Sequence, residues 1–431
     1  MARKHPIINA LRKTPPAPIT TPDTHDLVEV AAMLREIGIG LVEVAQPTPI
    51  VEQRLQRIAA RYTTKPVRVV ALPTVLMIQI GTDVYQVDES TRSSLQLDAA
   101  GRIDDIADLA EAGAIEPAAA ITAVKEARTL KPRFGRIATI AGYAITTVGF
   151  GMMINPTWDS LPAYLFLGLV VGAIVQLATS FPSLTPILPT LSASIVTVLA
   201  VWFVADVAND GLLRVISPAL VATLPGMALT TGAMELANSQ IISGASRLVY
   251  GISQLALLVF GVVIGMKIAG DVAPQAPSAE MGSWSLYVAI VVVALGLSVY
   301  LSAPRGSLFW LMAAIAAALL SQQLASKFLS TTHSGFLGAI VSVVFAMLAS
   351  RIKTAPPAMV MLIAAFWSLV PGALSFMSVS EAATGGNADV ASMSQAGAAI
   401  LSIALGTLVG WSIFHTIDSR SPWSKTATQQ P

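Results

Sequence analysis

The chain has 431 residues, of which 54% are hydrophobic and only 12% are charged, and its mean hydropathy is +0.69. Soluble proteins carry roughly 25% charged residues, so this composition excludes an ordinary soluble protein and indicates one that lies in a lipid bilayer. The 26 basic and 25 acidic residues nearly cancel, which argues against a nucleic-acid partner, and the absence of cysteine excludes disulfides and thiolate chemistry.

Charged residues are frequent before position 137, and this part predicts a small cytoplasmic α+β domain over residues 25–131. Residues 1–24 contain no apolar signal-peptide core, and we expect them to be flexible. Apolar residues at helical spacing predict two amphipathic helices, the first with Leu27, Val30, Leu34 and Ile37 and the second with Val51, Leu55 and Ile58. Apolar runs at 67–72, 75–80 and 84–87 predict a small sheet, and two further helices follow, the last opened by Pro117.

Nothing in the predicted domain indicates an enzyme. It has no nucleophile, zinc-binding or phosphate-binding motif. Asp104, Asp105 and Asp108 could bind a divalent ion, but carboxylates in the first turn and on the solvated face of a helix are the simpler interpretation. We therefore expect no catalytic residue, cofactor or metal, and a role for the domain in regulation or in control of the cytoplasmic opening.

From residue 137 onward, the chain is divided into long uncharged runs. They lie at 137–158, 161–205, 215–234, 248–266, 281–304, 306–326, 328–350, 354–380 and 390–414. A helix needs about 20 apolar residues to cross the bilayer, so the second run is long enough for two spans, and the proline-rich stretch 180–186 divides it. The sequence therefore predicts a mainly α-helical polytopic membrane protein with ten transmembrane helices.

These ten spans fall into two similar sets of five, at residues 132–270 and 281–418, followed by a flexible tail at 419–431. A shift of 146 places Leu224-Pro225-Gly226 on Val370-Pro371-Gly372, and it also pairs Glu235 with Glu381 and Gln176 with Gln322. Because five is odd, the second set must enter the membrane in the opposite direction. This is the inverted repeat from which secondary transporters are built.

Basic residues in the short loops predict the orientation. With the N-terminal domain and both termini inside, the cytoplasmic loops and tail hold Arg247, Arg305, Arg351, Lys353, Arg420 and Lys425. The external side keeps Arg214, Lys267 and Lys327.

The Pro-Gly pairs are the main candidates for a substrate site. Proline within a helix removes a backbone donor and glycine permits unusual dihedral angles, so a broken membrane helix exposes backbone groups that a substrate can bind. A packing kink is the alternative. The predicted substrate-binding residues are Pro225, Gly226, Thr230, Pro371, Gly372, Ser375, Gln176 and Gln322. The two glutamines could equally join helices.

Glu235 and Glu381 are candidates for proton coupling. Each lies ten residues after its Pro-Gly proline, at the predicted end of a broken span. A carboxyl group held away from water can load and release protons near the working pH. The alternative is that both are solvated charges next to helix ends.

Taken together, the soluble domain, the two sets of five spans and the Pro-Gly pairs at 225–226 and 371–372 resemble the threonine/serine exporter family over roughly residues 25–418. The chain is similar to the fused form of a family that also occurs as a split pair. One departure is Ala45-Gln46-Pro47-Thr48-Pro49, where many relatives have a turn of small residues. The resemblance implies proton-driven export of threonine and serine, or of small carboxylates in some members, across the bacterial cytoplasmic membrane.

Two other functions fit the same sequence. A small-solute channel would use the same spans without alternating access, and a membrane scaffold or sensor would act through the soluble domain. The expected partners are a small-molecule substrate and the lipid bilayer, with no nucleic acid, and assembly into a homo-oligomer is left open.

Overall fold

A computed structural model gives the structure of the chain. It describes residues 13–14, 16–82, 84–90, 96–204, 211–270, 278–369, 371–383 and 390–420. Most of the predicted flexible start and the tail after Arg420 lie outside this part. The described chain is mostly helical, with one small sheet near the N-terminus.

The first elements form what we call the N-terminal unit. Its helices are α1 (Leu27–Glu43), α2 (Thr48–Tyr62), α3 (Leu97–Glu111) and α4 (Pro117–Arg128), and its strands are β1 (Val67–Ala71), β2 (Val75–Ile80) and β3 (Val84–Glu89). The strands pair antiparallel in the order β1-β2-β3, with Ile78 opposite Val69 on one side and Gln86 on the other. One face of this sheet packs on α1.

Helix α1 is central in the unit and is buried on nearly all faces, whereas the sequence predicted an amphipathic helix. Asp26 caps it by accepting a hydrogen bond from the Val28 amide at 3.2 Å, and 11 of its 17 residues are buried. A Cβ added to Gly38 would lie 2.7 Å from the Leu55 side chain and would clash with Leu76. The missing side chain therefore lets α2 and β2 approach α1 from two directions.

The rest of the chain forms apolar helices. They are α5 (Arg136–Ile154), α6 (Leu161–Ser180), α7 (Leu188–Phe203), α8 (Leu212–Leu220), α9 (Gly226–Ala237), α10 (Ile241–Ala269), α11 (Ser285–Tyr300), α12 (Leu308–Ala325), α13 (Gly335–Ala349), α14 (Ala358–Ser368), α15 (Pro371–Ala383) and α16 (Val390–Arg420). Short 3₁₀ turns at Pro182–Ile187 and Val221–Thr223 precede α7 and follow α8. The predicted break at 180–186 falls on the first turn.

Within the described residues, six helices are long and apolar enough to cross a membrane, and the bent pair Leu212–Thr223 and Gly226–Ala237 makes a seventh. The shorter apolar helices α11, α13 and α14 occupy the positions of three further predicted spans. These apolar helices therefore indicate an integral membrane protein. The count of ten spans and the arrangement as two inverted sets remain predictions.

Helices α5 and α11 form a close antiparallel pair. A Cβ on Gly142 would lie 2.8 Å from the Tyr300 amide nitrogen, and one on Gly149 would lie 2.8 Å from the Val293 amide nitrogen. The start of α5 therefore lies beside the end of α11. At the other end of the pair, the Met281 amide donates to the Pro156 carbonyl at 2.7 Å.

The N-terminal unit packs on the end of the molecule where α11 finishes. The amides of Leu97 and Asp98 donate to the carbonyls of Leu301 and Ser302, at 2.8 and 3.2 Å. The end of α9 and the turn before α10 also contact the unit, through Glu235 with Thr48 and Gln240 with Glu52. Helix α14 contacts it where a Cβ on Gly101 would lie 3.2 Å from Val360. All of these segments border loops predicted to be cytoplasmic.

Glycines allow two long helices to pack closely on their neighbours. On α10, a Cβ at Gly261 would clash with the Thr190 carbonyl of α7, and one at Gly265 would lie 2.6 Å from Thr197. The same contacts recur between α16 and α13, at positions 145 or 146 residues later: Gly406 with Phe336, and Gly410 with Val343. These glycines thus allow the close packing of both helix pairs.

Candidate functional site

The first Pro-Gly pair lies at a sharp bend. The segment Leu212–Thr223 ends at Leu224, whose extended backbone (φ −69°, ψ 132°) is the conformation favoured before proline. Pro225 then caps α9, which begins at Gly226 and runs at 66° to the preceding segment. The helix is thus broken at this pair, as predicted, and Pro225 stands at the junction. The break therefore leaves a half-helix N-terminus, where the first amides lack intrahelical acceptors.

The second Pro-Gly pair lies at a matching junction. Helix α14 ends at Ser368, α15 begins at Pro371, and Gly372 is buried. Val370 and the side chain of Pro371 lie outside the described part of the chain. Helix α15 thus begins at the proline of its pair, whereas α9 begins at the glycine.

The two junctions touch each other. A Cβ added to Gly372 would lie 3.1 Å from the Gly226 amide nitrogen, 3.2 Å from the Gly226 Cα and 3.1 Å from the Leu224 Cβ. Only glycine at position 372 leaves room for this approach without displacing the facing backbone. The structure therefore brings together two half-helix N-termini, each with a partial positive charge.

A cavity of about 1610 Å³ lies at the meeting point of the junctions and extends to the N-terminal unit. Its membrane wall comes mainly from the two breaks and their half-helices, with Thr223, Leu224, Pro225, Gly226, Thr230, Thr231, Trp367, Gly372 and Ala373. Its other wall comes from α2 and α3, with Gln46, Pro47, Glu52, Arg54, Asp104 and Asp108. This cavity is large enough for a small metabolite and its hydration shell.

The structure brings four of the predicted substrate-binding residues to the cavity: Pro225, Gly226, Thr230 and Gly372. The Thr230 hydroxyl is buried and has no hydrogen-bond partner among the described residues. Ser375 is 3% exposed and lies on α15 one turn beyond Gly372, behind the cavity lining.

The two predicted glutamines lie away from the cavity. Gln176 donates to the Thr179 hydroxyl of its own helix at 3.2 Å. Gln322 packs near the α12–α13 contact, where its Cβ would be 3.3 Å from a Cβ on Gly338. The contact of Gln322 with α13 fits the alternative in which these glutamines join helices, whereas the bond of Gln176 stays within its own helix.

Glu235 lies at the end of α9 and is fully buried, so the interpretation as a solvated charge is wrong for this residue. Its carboxylate accepts hydrogen bonds from the Thr48 amide at 2.9 Å, the Thr48 hydroxyl at 3.0 Å and the Arg247 Nε at 3.1 and 3.2 Å. Glu381, its predicted counterpart, is exposed on α15 and is absent from the cavity lining of the described chain. The two glutamates therefore have different surroundings.

The contact with Thr48 explains how α2 begins. The residue before α2 is Pro47, which gives no side-chain cap. The carboxylate of Glu235, 187 residues away in sequence, supplies the acceptor and the negative charge that a helix N-terminus favours. Nearby, Gln240 donates to Glu52 at 2.9 Å. Thr48 thus forms a contact between the N-terminal unit and α9.

The wall formed by the N-terminal unit contains a buried ionic network around Arg54. The guanidinium contacts Asp104 and donates to Asp108 and Glu111, each at 2.6 Å, while the Gln46 amide donates to Asp104 at 3.1 Å. Burial lowers the pKa of Arg54, but the three carboxylates raise it overall.

Our interpretation of the acidic cluster was therefore wrong for Asp104, while Asp105 and Asp108 are exposed, as a solvated helix face predicts. Helix α3 begins at Leu97, so these residues lie beyond its first turn, and Asp104 is only 6% exposed. Among the described residues, no group of three or more His, Cys, Asp or Glu is placed to hold a metal ion.

Sequence reasoning missed Arg247 and Arg54 as residues of the site. Arg247 was assigned to a cytoplasmic loop, but it lies within α10, lines the cavity and is 15% exposed. The available signal was an isolated arginine 12 residues after an isolated glutamate, next to a long apolar run. An ionisable pair at the edge of apolar helices indicates a functional site.

Apolar helices broken at paired Pro-Gly junctions around a partly polar cavity are features of a membrane transport protein. A family model described as "Putative threonine/serine exporter" matches residues 32–269, which is more than half of the chain. The chain belongs to this threonine/serine exporter family, a family of transporters and not of enzymes. No curated protein and no solved structure matches it.

The family match begins within α1 and ends at the last residue of α10. It therefore includes most of the N-terminal unit, the first Pro-Gly junction, Glu235 and Arg247. The second set of helices lies outside the match, so the fused form of the family remains a prediction.

Proposed function

We propose that this protein is a secondary active exporter of threonine, serine or related small carboxylates across the bacterial cytoplasmic membrane, driven by the proton gradient. The contact between Gly226 and Gly372 at the cavity carries the proposal, because it places two half-helix N-termini at one small-molecule cavity. Half-helix ends bind charged substrate groups in secondary transporters, and the N-terminal ends favour carboxylates.

The cavity also supplies a group suited to the substrate's hydroxyl. Thr230 lies one turn into α9, close after the junction, and its hydroxyl lacks a partner among the described residues. Burial of an unpaired hydroxyl costs free energy, which a hydroxyl-bearing ligand would recover. Threonine and serine have both the carboxylate and the hydroxyl that this arrangement can bind.

Repeated contacts support an inverted repeat. The glycine contacts of α10 with α7 recur between α16 and α13 at offsets of 145 and 146 residues. The Pro-Gly junctions recur at an offset of 146 residues. Opposite membrane orientation of the two halves would place the junctions near the midplane, where alternating access requires them. The packing of the N-terminal unit on loops predicted to be cytoplasmic supports an orientation with both termini inside.

Proton coupling by Glu235 and Glu381 remains part of the proposal. In this structure Glu235 is held by Thr48 and Arg247, so proton loading there requires these contacts to open during the cycle. Glu381 is exposed on α15.

Counterflow in proteoliposomes tests the proposal. Vesicles preloaded with unlabelled threonine should accumulate labelled threonine and serine transiently, and an imposed proton gradient should drive net flux. Empty vesicles and vesicles with the Gly372→Trp variant, in which the cavity is filled, serve as controls. A linear, unsaturable flux insensitive to the gradient would indicate a channel. Absence of flux of threonine, serine and succinate would refute the export function and favour a scaffold or sensor.

A further inference from the structure

Arg247 has an unused hydrogen-bond donor in the cavity wall. Its Nε donates to both oxygens of Glu235, at 3.2 and 3.1 Å, whereas its Nη2 is buried and has no acceptor among the described residues. Burying a charged donor without an acceptor is costly, so this group indicates a missing partner. An arginine guanidinium is suited in shape and charge to a carboxylate.

The position of Arg247 is fixed by close helix packing. A Cβ on Gly232 of α9 would lie 3.1 Å from the Arg247 Cβ, and one on Gly244 of α10 would lie 2.7 Å from the Gly232 carbonyl. The stem of Arg247 is thus held against the same half-helix that begins at Gly226 and carries Thr230. Glu235, at the end of that helix, orients the guanidinium.

The charges around the cavity indicate what kind of carboxylate fits. The described lining has five acidic residues and three arginines, namely Glu43, Glu52, Asp104, Asp108 and Glu111 with Arg54, Arg57 and Arg247. Arg54 and Arg57 already contact carboxylates of α3. Arg247 also contacts a carboxylate, that of Glu235, but through Nε, so its Nη2 remains for one further carboxylate. The excess of acidic groups favours a ligand that also has a positive charge.

We infer that Arg247 binds the carboxylate of a zwitterionic amino-acid substrate beside Glu235, at the opposite end of α9 from the half-helix N-termini and before the substrate reaches them, and thereby selects it over amides and dicarboxylates. The inference rests on the proposed export function and adds the residue that determines specificity. In the second half of the chain, the positions 145 and 146 residues later are Ser392 and Met393, so this basic group belongs to one half only.

The test compares L-threonine with L-threoninamide, which lacks the charged carboxylate, as competitors of labelled threonine counterflow. In wild-type protein, threonine should compete at least about tenfold better than the amide, because its carboxylate forms an ion pair with the guanidinium, whereas the amide offers only a neutral carbonyl oxygen. In Arg247→Lys, which keeps a positive charge beside Glu235 without the planar fork, this preference should fall by about tenfold or more. Arg305→Lys, an exposed arginine outside the cavity lining, should keep the wild-type preference.

Each result has a definite meaning. If Arg247→Lys transports threonine but keeps the wild-type preference over the amide, Arg247 only stabilises Glu235 and the inference is wrong. Succinate competing as well as threonine in wild-type protein would also overturn it. If Arg247→Lys does not reach the membrane, the double variant Glu235→Gln/Arg247→Gln, which removes both charges together, serves for the same comparison. If the wild-type protein shows no flux at all, the export function itself is refuted. That result is distinct from an unchanged preference for threonine over the amide in Arg247→Lys.

Discussion

Replacing Gly372 with alanine should separate the two Pro-Gly junctions. The new Cβ would lie 3.1 Å from the Gly226 amide nitrogen, whereas ordinary contacts begin at 3.4 Å, so the half-helices must move apart by about 0.3 Å. The facing atoms are backbone, which cannot rotate away as a side chain does. Such overpacking costs about 1–3 kcal/mol. If this cost falls on the state with the junctions in contact, the balance between transport states shifts by about 5- to 150-fold.

We therefore expect Gly372→Ala to reach the membrane in normal amounts and to lower threonine turnover at least about fivefold. Counterflow rates normalised to protein in the vesicles measure this. Gly397→Ala is the matched control, because a Cβ there meets nothing within 4 Å. Gly406→Ala, which clashes with the Phe336 carbonyl on another helix pair, should instead lower the stability of the extracted protein. Wild-type turnover in Gly372→Ala would show that the contact between the junctions is irrelevant to transport.

Other predictions use the same assays. Pro225→Ala and Pro371→Ala should lower transport without preventing insertion, because a continuous helix would remove the free amides at each junction; unchanged rates would reduce both prolines to packing kinks. Glu235→Gln and Glu381→Gln should lose gradient-driven export while exchange continues, measured as flux against pH, and unchanged export in both would exclude proton coupling by these residues. Single cysteines test the orientation with an impermeant external thiol reagent: those at Arg305 and Lys353 should be protected, and those at Asp210, Pro277 and Asn387, which lie outside the described residues, should react.

Local patterns predicted the elements well. The apolar spacing around Val51 and Ile58 gave α2, the β-branched runs gave all three strands, and the proline-rich stretch after Ser180 marked the end of α6. The Pro-Gly repeats located both junctions, since the conformational limits of proline and glycine act within a few residues.

Contacts between distant segments could not be predicted in this way. The sequence around Asp104 gives no sign that Arg54 comes to lie against it, and Glu235 resembles any charge at the end of a span. Asp104 and Glu235 are both buried. This is a result of tertiary structure, because α2 contacts α3 through Arg54 and α9 through Thr48. The glutamine pair shows the opposite error. Gln176 and Gln322 occupy matching positions in the two sets of spans, but both lie away from the cavity.

The acceptor that Glu235 provides for Thr48 also affects when the protein can finish folding. The ribosome releases Thr48 well before Glu235, and at about 5–20 residues per second the 187 intervening residues take roughly 10 to 40 s. During that interval the N-terminus of α2 lacks the carboxylate that completes it. Final docking of the N-terminal unit therefore waits until α9 has been inserted, which makes docking a late step of biogenesis that depends on correct insertion of the first broken helix.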